Sequence, residues 1–142
     1  MKPKVEYRVR FVIDEEAQFE ECNGEARSLT EAEYAENPYM EVGRPIPYAE
    51  YLTYYGNPDR HVYLGVVVDK KCPCCQSWNM DVTAVWGVDL MDDDPGLKQI
   101  NPYRRNGHVA TVKEALALPG YLSEIARDEL LETGALSDVA NT

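Results

Sequence analysis

The chain has 142 residues, enough for one domain with a sizeable hydrophobic core and too few for two domains of ordinary size. With 44% hydrophobic and 27% charged residues, the composition is that of a globular protein, which excludes wholesale disorder, a collagen-like chain and a disulfide scaffold. A net charge of −11 argues against binding DNA, RNA or an anionic membrane through a general positive field.

The N-terminal residues include two lysines but no apolar run of signal-peptide length, and no stretch approaches the ~20 apolar residues that span a bilayer. We therefore expect a cytoplasmic protein without a membrane partner. Because cytosolic thiols are kept reduced, we expect the four cysteines to stay reduced or to bind metal rather than form disulfides.

The first predicted element is a strand, because apolar residues alternate with polar ones from Val5 to Ile13. The acidic segment 14–41 follows, with ten Asp or Glu and a single basic residue. Within it, Thr30 and Glu33 have the spacing of a capping box, which predicts a short helix over 31–36.

Tyrosine and leucine recur at three- and four-residue spacing between Pro47 and Gly56, which predicts a second helix near 47–55. The strongest pattern follows it: two apolar rows, over 62–68 and 80–90, predict a long β-hairpin whose tip carries three cysteines. Asn106-Gly107 marks a further turn.

Two helices are predicted near the C-terminus. Thr111 and Glu114 repeat the capping-box spacing and open a short helix that must stop near Leu118, because Pro119-Gly120 follows. The last helix is predicted from about Tyr121 to Thr133, closing at Gly134.

Together these elements predict a single α+β domain over residues 1–134, with a frayed C-terminal tail over 135–142. Its antiparallel sheet is built from the N-terminal strand and the long central hairpin. Two to four short helices pack on one face, and we expect those near 47–55 and 121–133 to cover the apolar side of the sheet.

The hairpin tip, Cys72-Pro73-Cys74-Cys75, resembles the Cys-Pro-x-Cys half of a zinc-ribbon knuckle. A structural zinc site needs four ligands, and no second Cys-x-x-Cys follows. Cys74, Cys22, a histidine or a second subunit would have to complete it. The alternatives are ordinary thiols in a turn, or redox chemistry, against which the flanking strands count. The predicted cofactor is therefore none or zinc, and the candidate zinc ligands are Cys72, Cys75, Cys74 and Cys22.

Readable catalytic signatures are absent from the sequence: it has no Gly-x-Ser-x-Gly, no His-Glu-x-x-His and no phosphate-binding glycine loop. His61 and His108 each follow a turn, where a histidine is usually solvated or hydrogen-bonded. We therefore predict a protein that is not an enzyme and has no catalytic residues.

The acidic segment is either a solubilising surface or a docking surface for a basic protein. Aromatic residues interleaved with the acids favour docking, and seven of the ten tyrosines lie between Tyr34 and Tyr63. We predict no direct binding of nucleic acid, while a homodimer could form along the exposed edge of the hairpin. The predicted partner-binding residues are Glu15, Glu16, Glu20, Glu21, Glu33, Glu36, Tyr34, Tyr39, Tyr51 and Tyr55.

In its size, its charge and segments such as NPDRHVYLGVVVDKKCPCCQSW and VWGVDLMDDDP, the chain resembles uncharacterised proteins of bacteriophages and mobile elements. The resemblance implies an anti-defence inhibitor, such as an anti-CRISPR protein, in which an acidic face imitates a row of phosphates. The partner would be a basic, nucleic-acid-handling protein or complex. The alternative hypothesis is a small zinc-stabilised module that uses the cysteine tip.

Overall fold

A computed structural model describes residues 5–19, 21–22 and 25–135, and it confirms an α+β fold with an antiparallel sheet. In the described residues the elements are, in chain order, β1 (Tyr7–Ile13), β2 (Glu21–Cys22), β3 (Glu25–Ala26), α1 (Glu31–Glu36), β4 (Met40–Glu41), β5 (Arg44–Pro45), α2 (Tyr48–Thr53), β6 (His61–Lys71), β7 (Trp78–Met91), β8 (His108–Thr111), α3 (Val112–Leu116) and α4 (Tyr121–Glu132).

The central sheet has the strand order β7-β6-β1-β8, and every neighbouring pair in it is antiparallel. The first strand and the long hairpin thus combine as predicted. On the face that α3 and α4 cover, Val9 lies opposite Val68 and Phe11 opposite Val66. This face holds the main hydrophobic core, which also includes Leu64, Val88, Leu90, Ala110, Ala115, Leu122, Ala126 and Leu130.

The opposite face of the sheet carries charged residues at its β1 and β6 positions. Asp69 on β6 is fully buried there, and the guanidinium groups of Arg8 and Arg10 each donate to it from β1 at 2.7 Å. Two arginines around one carboxylate allow this polar face to be buried without losing hydrogen bonds.

The two predicted capping boxes are both present, since Thr30 and Thr111 accept from the backbone of Glu33 and Glu114 while those carboxylates bond back. Each begins a short helix at the expected place. These ends were predictable because a capping box is a contact between residues three apart.

The last helix ends as predicted, with Gly134 at φ 82° just after it. Ala135, which the sequence assigned to a frayed tail, is instead buried against the main core. The remainder of the predicted tail, 136–142, lies outside the described residues. The tail therefore begins after Ala135 at the earliest.

The helix predicted near 47–55 exists as α2 but does not cover the sheet. Its buried residue, Tyr51, is absent from the main core and stacks instead on Tyr34 of α1, with the ring centroids 4.5 Å apart. The expectation that α2 lies on the apolar face of the sheet is thus corrected: it packs with α1 through aromatic rings.

Five short strands were not predicted from the sequence. The Asn106-Gly107 turn leads into β8, which pairs with β1 at the sheet edge. Gly107 has φ 75°, and a Cβ added there would lie 2.3 Å from Val12 Cγ1, so only glycine fits. The pairs β2–β3 and β4–β5 are hairpins with two-residue strands, too short to show an alternating pattern.

Candidate interaction surface

Five tyrosines of the segment between β1 and β6 form one cluster, which we call the tyrosine platform. The centroids of the Tyr34 and Tyr51 rings are 4.5 Å apart, and those of Tyr39 and Tyr55 are 4.8 Å apart. Offset stacking at such distances adds to the stabilisation from burial. The members of the platform are Tyr34, Tyr39, Tyr48, Tyr51 and Tyr55.

Two of these tyrosines were predicted to contact a partner but are internal. Tyr34 is 4% exposed and Tyr51 is 1% exposed. The Tyr34 hydroxyl donates to the Ile46 carbonyl at 2.6 Å, and the Tyr51 hydroxyl accepts from the Leu29 N–H at 3.0 Å. The prediction that Tyr34 and Tyr51 bind a partner directly is therefore corrected: they stabilise the platform from inside, because their hydroxyls have backbone partners there.

The other two predicted tyrosines lie at the surface of the platform. Tyr39 is exposed and Tyr55 is half-buried. Tyr55 also lines a shallow groove of about 300 Å³. Carboxylates and apolar side chains share this groove, whose lining residues are Met40, Glu41, Ile46, Glu50, Tyr54 and Tyr55.

The hairpin β4–β5, which we call the Val42 hairpin, projects from the platform. Met40 pairs with Pro45 and Glu41 with Arg44, leaving Val42 and Gly43 as the two-residue turn. Val42 is 97% exposed, with Met40 beside it at 59%. An apolar hairpin tip thus stands in solvent within an acidic part of the chain.

The predicted acidic residues do not all have the same role. The Glu33 carboxylate takes part in the capping box, and its Oε1 lies 3.1 Å from a guanidinium nitrogen of Arg27. Hydrogen bonds from the Thr30 backbone and hydroxyl lower the pKa of Glu33. Glu36 is exposed at the end of α1. The predicted residue Glu20 lies outside the described residues, and so does the side chain of Glu21. Among the predicted carboxylates, Glu36 is therefore the exposed one on α1, the helix that carries Tyr34.

Glu15 and Glu16 line a separate groove of about 740 Å³. Trp86, which is 53% exposed, and Gly87 form its other side. Asp14 connects the two sides of this groove, because its carboxylate accepts from the Gly87 N–H at 2.8 Å. Glu15 and Glu16 thus lie in a groove that shares no lining residue with the groove beside the platform.

The two histidines hold elements together. His61 places Nδ1 2.7 Å from Asp89 Oδ1 and Nε2 2.6 Å from the Tyr55 carbonyl, which connects the platform to β6 and β7. His108 accepts from the Asn101 N–H at 3.1 Å. Burial and the charge of Arg104 lower the pKa of His108.

The cysteine tip predicted from the sequence is a tight loop between β6 and β7. The Cys72 N–H donates to the Ser77 carbonyl at 2.7 Å, and the Gln76 N–H donates to the Cys72 carbonyl at 3.0 Å. Cys74 and Cys75 are exposed, while Cys72 is half-buried. Hydrogen bonds from Cys72 and Ser77 lower the pKa of Cys75 to about 7.

Zinc binding at this loop stays a prediction. Within the residues that the structure describes, no group of three or more histidine, cysteine or acidic side chains could hold a metal ion. The fourth predicted ligand, Cys22, has its side chain outside the described part of the chain. A complete site would need further ligands, for which the sequence offers Cys22, a histidine or the same loop of a second subunit.

The exposed apolar residues Met40, Val42 and Trp86 were missed by sequence reasoning. The available signal was weak: Val42-Gly43 has a glycine suited to a tight turn, but valine is an unusual residue before it.

Comparison with family models, with curated proteins and with solved structures finds no match for this chain. Among the described helices, none is both long enough and apolar enough to cross a bilayer.

Proposed function

We propose that the protein is a non-enzymatic interaction module that binds a basic protein partner through the platform and its acidic rim. The rim comprises the exposed carboxylates of Glu41 and Glu50, which line the groove with Tyr55, and of Glu36, on the helix that carries Tyr34. The observation that carries the proposal is the groove in which Glu41 and Glu50 lie beside Met40 and two tyrosines. Aromatic and methionine side chains bordered by charge are characteristic of protein interfaces.

Rigidity supports the proposal as well. Stacked rings and backbone hydrogen bonds hold the platform, so little conformational entropy remains to be lost on binding. Carboxylates at the rim would speed the encounter with a basic partner and discriminate against acidic ones. A nucleic-acid-handling complex is the partner class we favour, because its phosphate-binding groove is basic; an anti-defence inhibitor would act in this way.

Affinity capture followed by direct binding measurements tests the proposal. The tagged chain is used to capture proteins from bacterial lysate at low salt, and the captured partner is purified for calorimetry. The double variant Glu41→Lys/Glu50→Lys is expected to weaken binding and to flatten its dependence on salt, because both rim charges are reversed.

The matched control is Glu124→Lys/Asp128→Lys, which makes the same change in net charge on the exposed side of α4. It should leave affinity and salt dependence nearly unchanged. Equal effects of the two double variants would show that only net charge matters and would contradict a specific rim.

A zinc-stabilised module is the second candidate, favoured by one observation: the cysteine loop holds Cys72 and Cys75 so that one thiol assists ionisation of the other. Thiolates are the form that binds zinc. If zinc is bound, a chelator lowers the melting temperature of the wild type, and Cys72→Ser removes the effect. Metal content near zero in protein purified without chelator would exclude this candidate.

A further inference from the structure

The turn of the Val42 hairpin has a backbone that its first residue does not favour. Val42 has φ 51° and Gly43 has φ 76°, which is the two-residue turn with both central residues in the left-handed region. Glycine adopts this conformation freely, and Asn or Asp tolerates it. A β-branched residue is a genuine outlier there, so Val42 is strained.

Packing within the chain does not compensate for this strain. The Val42 side chain is 97% exposed, and Met40 next to it is 59% exposed. Neither the backbone conformation nor the solvent favours valine at this position. The folding of this chain therefore offers no reason for an apolar, β-branched side chain at the tip.

The hairpin that presents Val42 is held in place. The Ile46 N–H donates to the Tyr39 carbonyl at 2.8 Å, and the Tyr34 hydroxyl donates to the Ile46 carbonyl at 2.6 Å. The Tyr39 ring stacks on Tyr55 with centroids 4.8 Å apart. The tip is thus anchored to the platform on both of its strands, which suits a preorganised contact residue.

The charged residues near the tip indicate which partner surface would be complementary to it. Glu41 pairs with Arg44 across the hairpin, and Glu50 lines the same groove as Glu41. Two carboxylates beside one guanidinium leave this surface acidic. A matching partner therefore combines an apolar recess with a rim of lysine or arginine.

We propose that Val42 is the apolar anchor of the interface and inserts into a recess, bordered by lysine or arginine, on a protein partner. This inference rests on the proposed function, since it names the contact at the centre of that surface. Residues buried at the centre of an interface carry most of its binding energy, whereas rim charges chiefly set the association rate.

The test uses the full chain and peptides selected against it from a random peptide library. Selected peptides should combine an apolar residue with neighbouring lysine or arginine. Val42→Asn should weaken their binding about tenfold or more, because it removes the apolar side chain. The same variant should raise the melting temperature, because asparagine suits the turn. Loss of affinity with gain of stability separates a binding role from a structural one.

Two further variants complete the design. Val42→Leu keeps an apolar tip and should retain peptide binding, while Val109→Asn changes another exposed valine, on β8, and should leave binding unchanged. Wild-type affinity for Val42→Asn would overturn the inference, as would a fall in its melting temperature. If Glu41→Lys/Glu50→Lys still weakened binding in that case, the proposed function would stand without Val42 as its anchor.

Discussion

Asp69 receives four hydrogen bonds from groups on neighbouring strands. Arg8 donates one, Arg10 donates two, and the Asp81 N–H donates the fourth at 3.0 Å. Burial opposes ionisation of this carboxyl, but the hydrogen bonds from Arg10 and Arg8 outweigh it and hold the pKa of Asp69 below its usual value. The charged form is therefore the one that stabilises the fold.

Asp69→Asn should destabilise the protein by about 3–5 kcal/mol at pH 7, because both guanidinium groups lose their buried counter-charge. A lowered pKa in the folded state contributes stability above the unfolded pKa and loses it as the pH falls through the folded value. Urea unfolding at pH 7 and at acid pH should thus show a smaller pH dependence in the variant. Asp59→Asn, at an exposed site, is the control. Identical acid sensitivity in wild type and Asp69→Asn would contradict this assignment.

Cys75 is predicted to be the most readily alkylated thiol of the cysteine loop near neutral pH. Since its pKa is lowered to about 7, the rate of its reaction with iodoacetamide should reach half its plateau near that pH. Cys72→Ala and Ser77→Ala should each move the midpoint upward, because each removes a hydrogen bond that favours the thiolate. Peptide mapping after timed alkylation provides the measurement. A midpoint unaffected by both changes would refute the role of these hydrogen bonds, and Cys74→Ser serves as control.

Among the elements, the contact between α4 and the sheet contains a carboxyl that is costly to ionise. Glu129 is 7% exposed and accepts from the Thr83 hydroxyl at 3.1 Å. Burial raises the pKa of Glu129, and the nearby carboxylates Glu132 and Asp128 add to the effect. The helix is therefore held against the sheet although ionisation of this carboxyl is unfavourable in the folded state.

Glu129→Gln should raise the melting temperature at pH 7 and have little effect near pH 4. The sign follows from the raised pKa: the unfolded chain loses this proton first as the pH rises, which favours unfolding in the wild type. Thermal unfolding of both proteins across that range is the measurement. Glu124→Gln, exposed in the first turn of the same helix, should not raise the melting temperature, because its carboxylate interacts favourably with the helix N-terminus. Destabilisation by Glu129→Gln at pH 7 would show that the charged form is the favourable one.

Local patterns predicted most elements well, because their causes lie within a few residues of each other. The capping boxes at Thr30 and Thr111 located two helices, and alternation located β1, β6 and β7. The strands β4 and β5 have two residues each, too few for alternation to appear. So short a strand can be assigned only when the strand that it pairs with is known.

The candidate surface was only partly predictable for a related reason. Tyrosine spacing indicated that α2 has an aromatic face, but not whether the sheet or α1 covers it. The structure pairs Tyr51 with Tyr34, which buries two predicted contact residues and leaves Tyr39 and Tyr55 at the surface. The exposure of each ring depends on packing between residues that are distant in the sequence. No periodicity in the sequence therefore predicts it.

At the scale of the molecule, the described residues pack into a main core and, apart from it, the tyrosine platform. The main core lies between the sheet and the helices α3 and α4, and neither Tyr34 nor Tyr51 belongs to it. Hydrogen bonds connect the platform to the sheet: Nε2 of His61 on β6 lies 2.6 Å from the Tyr55 carbonyl, and the hydroxyl of the neighbouring Tyr54 donates to Asp93, just after β7, at 2.7 Å. Since the platform tyrosines are not part of the main core, we expect the platform to open locally at lower free energy than the sheet.

Tyr51→Ala should therefore loosen the platform while the sheet remains folded. Replacing a buried aromatic residue by alanine costs about 3–5 kcal/mol, and here the loss falls on the smaller core. In hydrogen exchange measured by mass spectrometry, α1, α2 and the Val42 hairpin should lose protection, while β1 and β6 keep theirs. Leu122→Ala, in the main core, should instead lower protection in both parts, because the platform needs the sheet to anchor it. Uniform loss of protection in Tyr51→Ala would mean that the two cores unfold together. Binding of selected peptides should fall with platform protection, since the platform holds the Val42 tip in position.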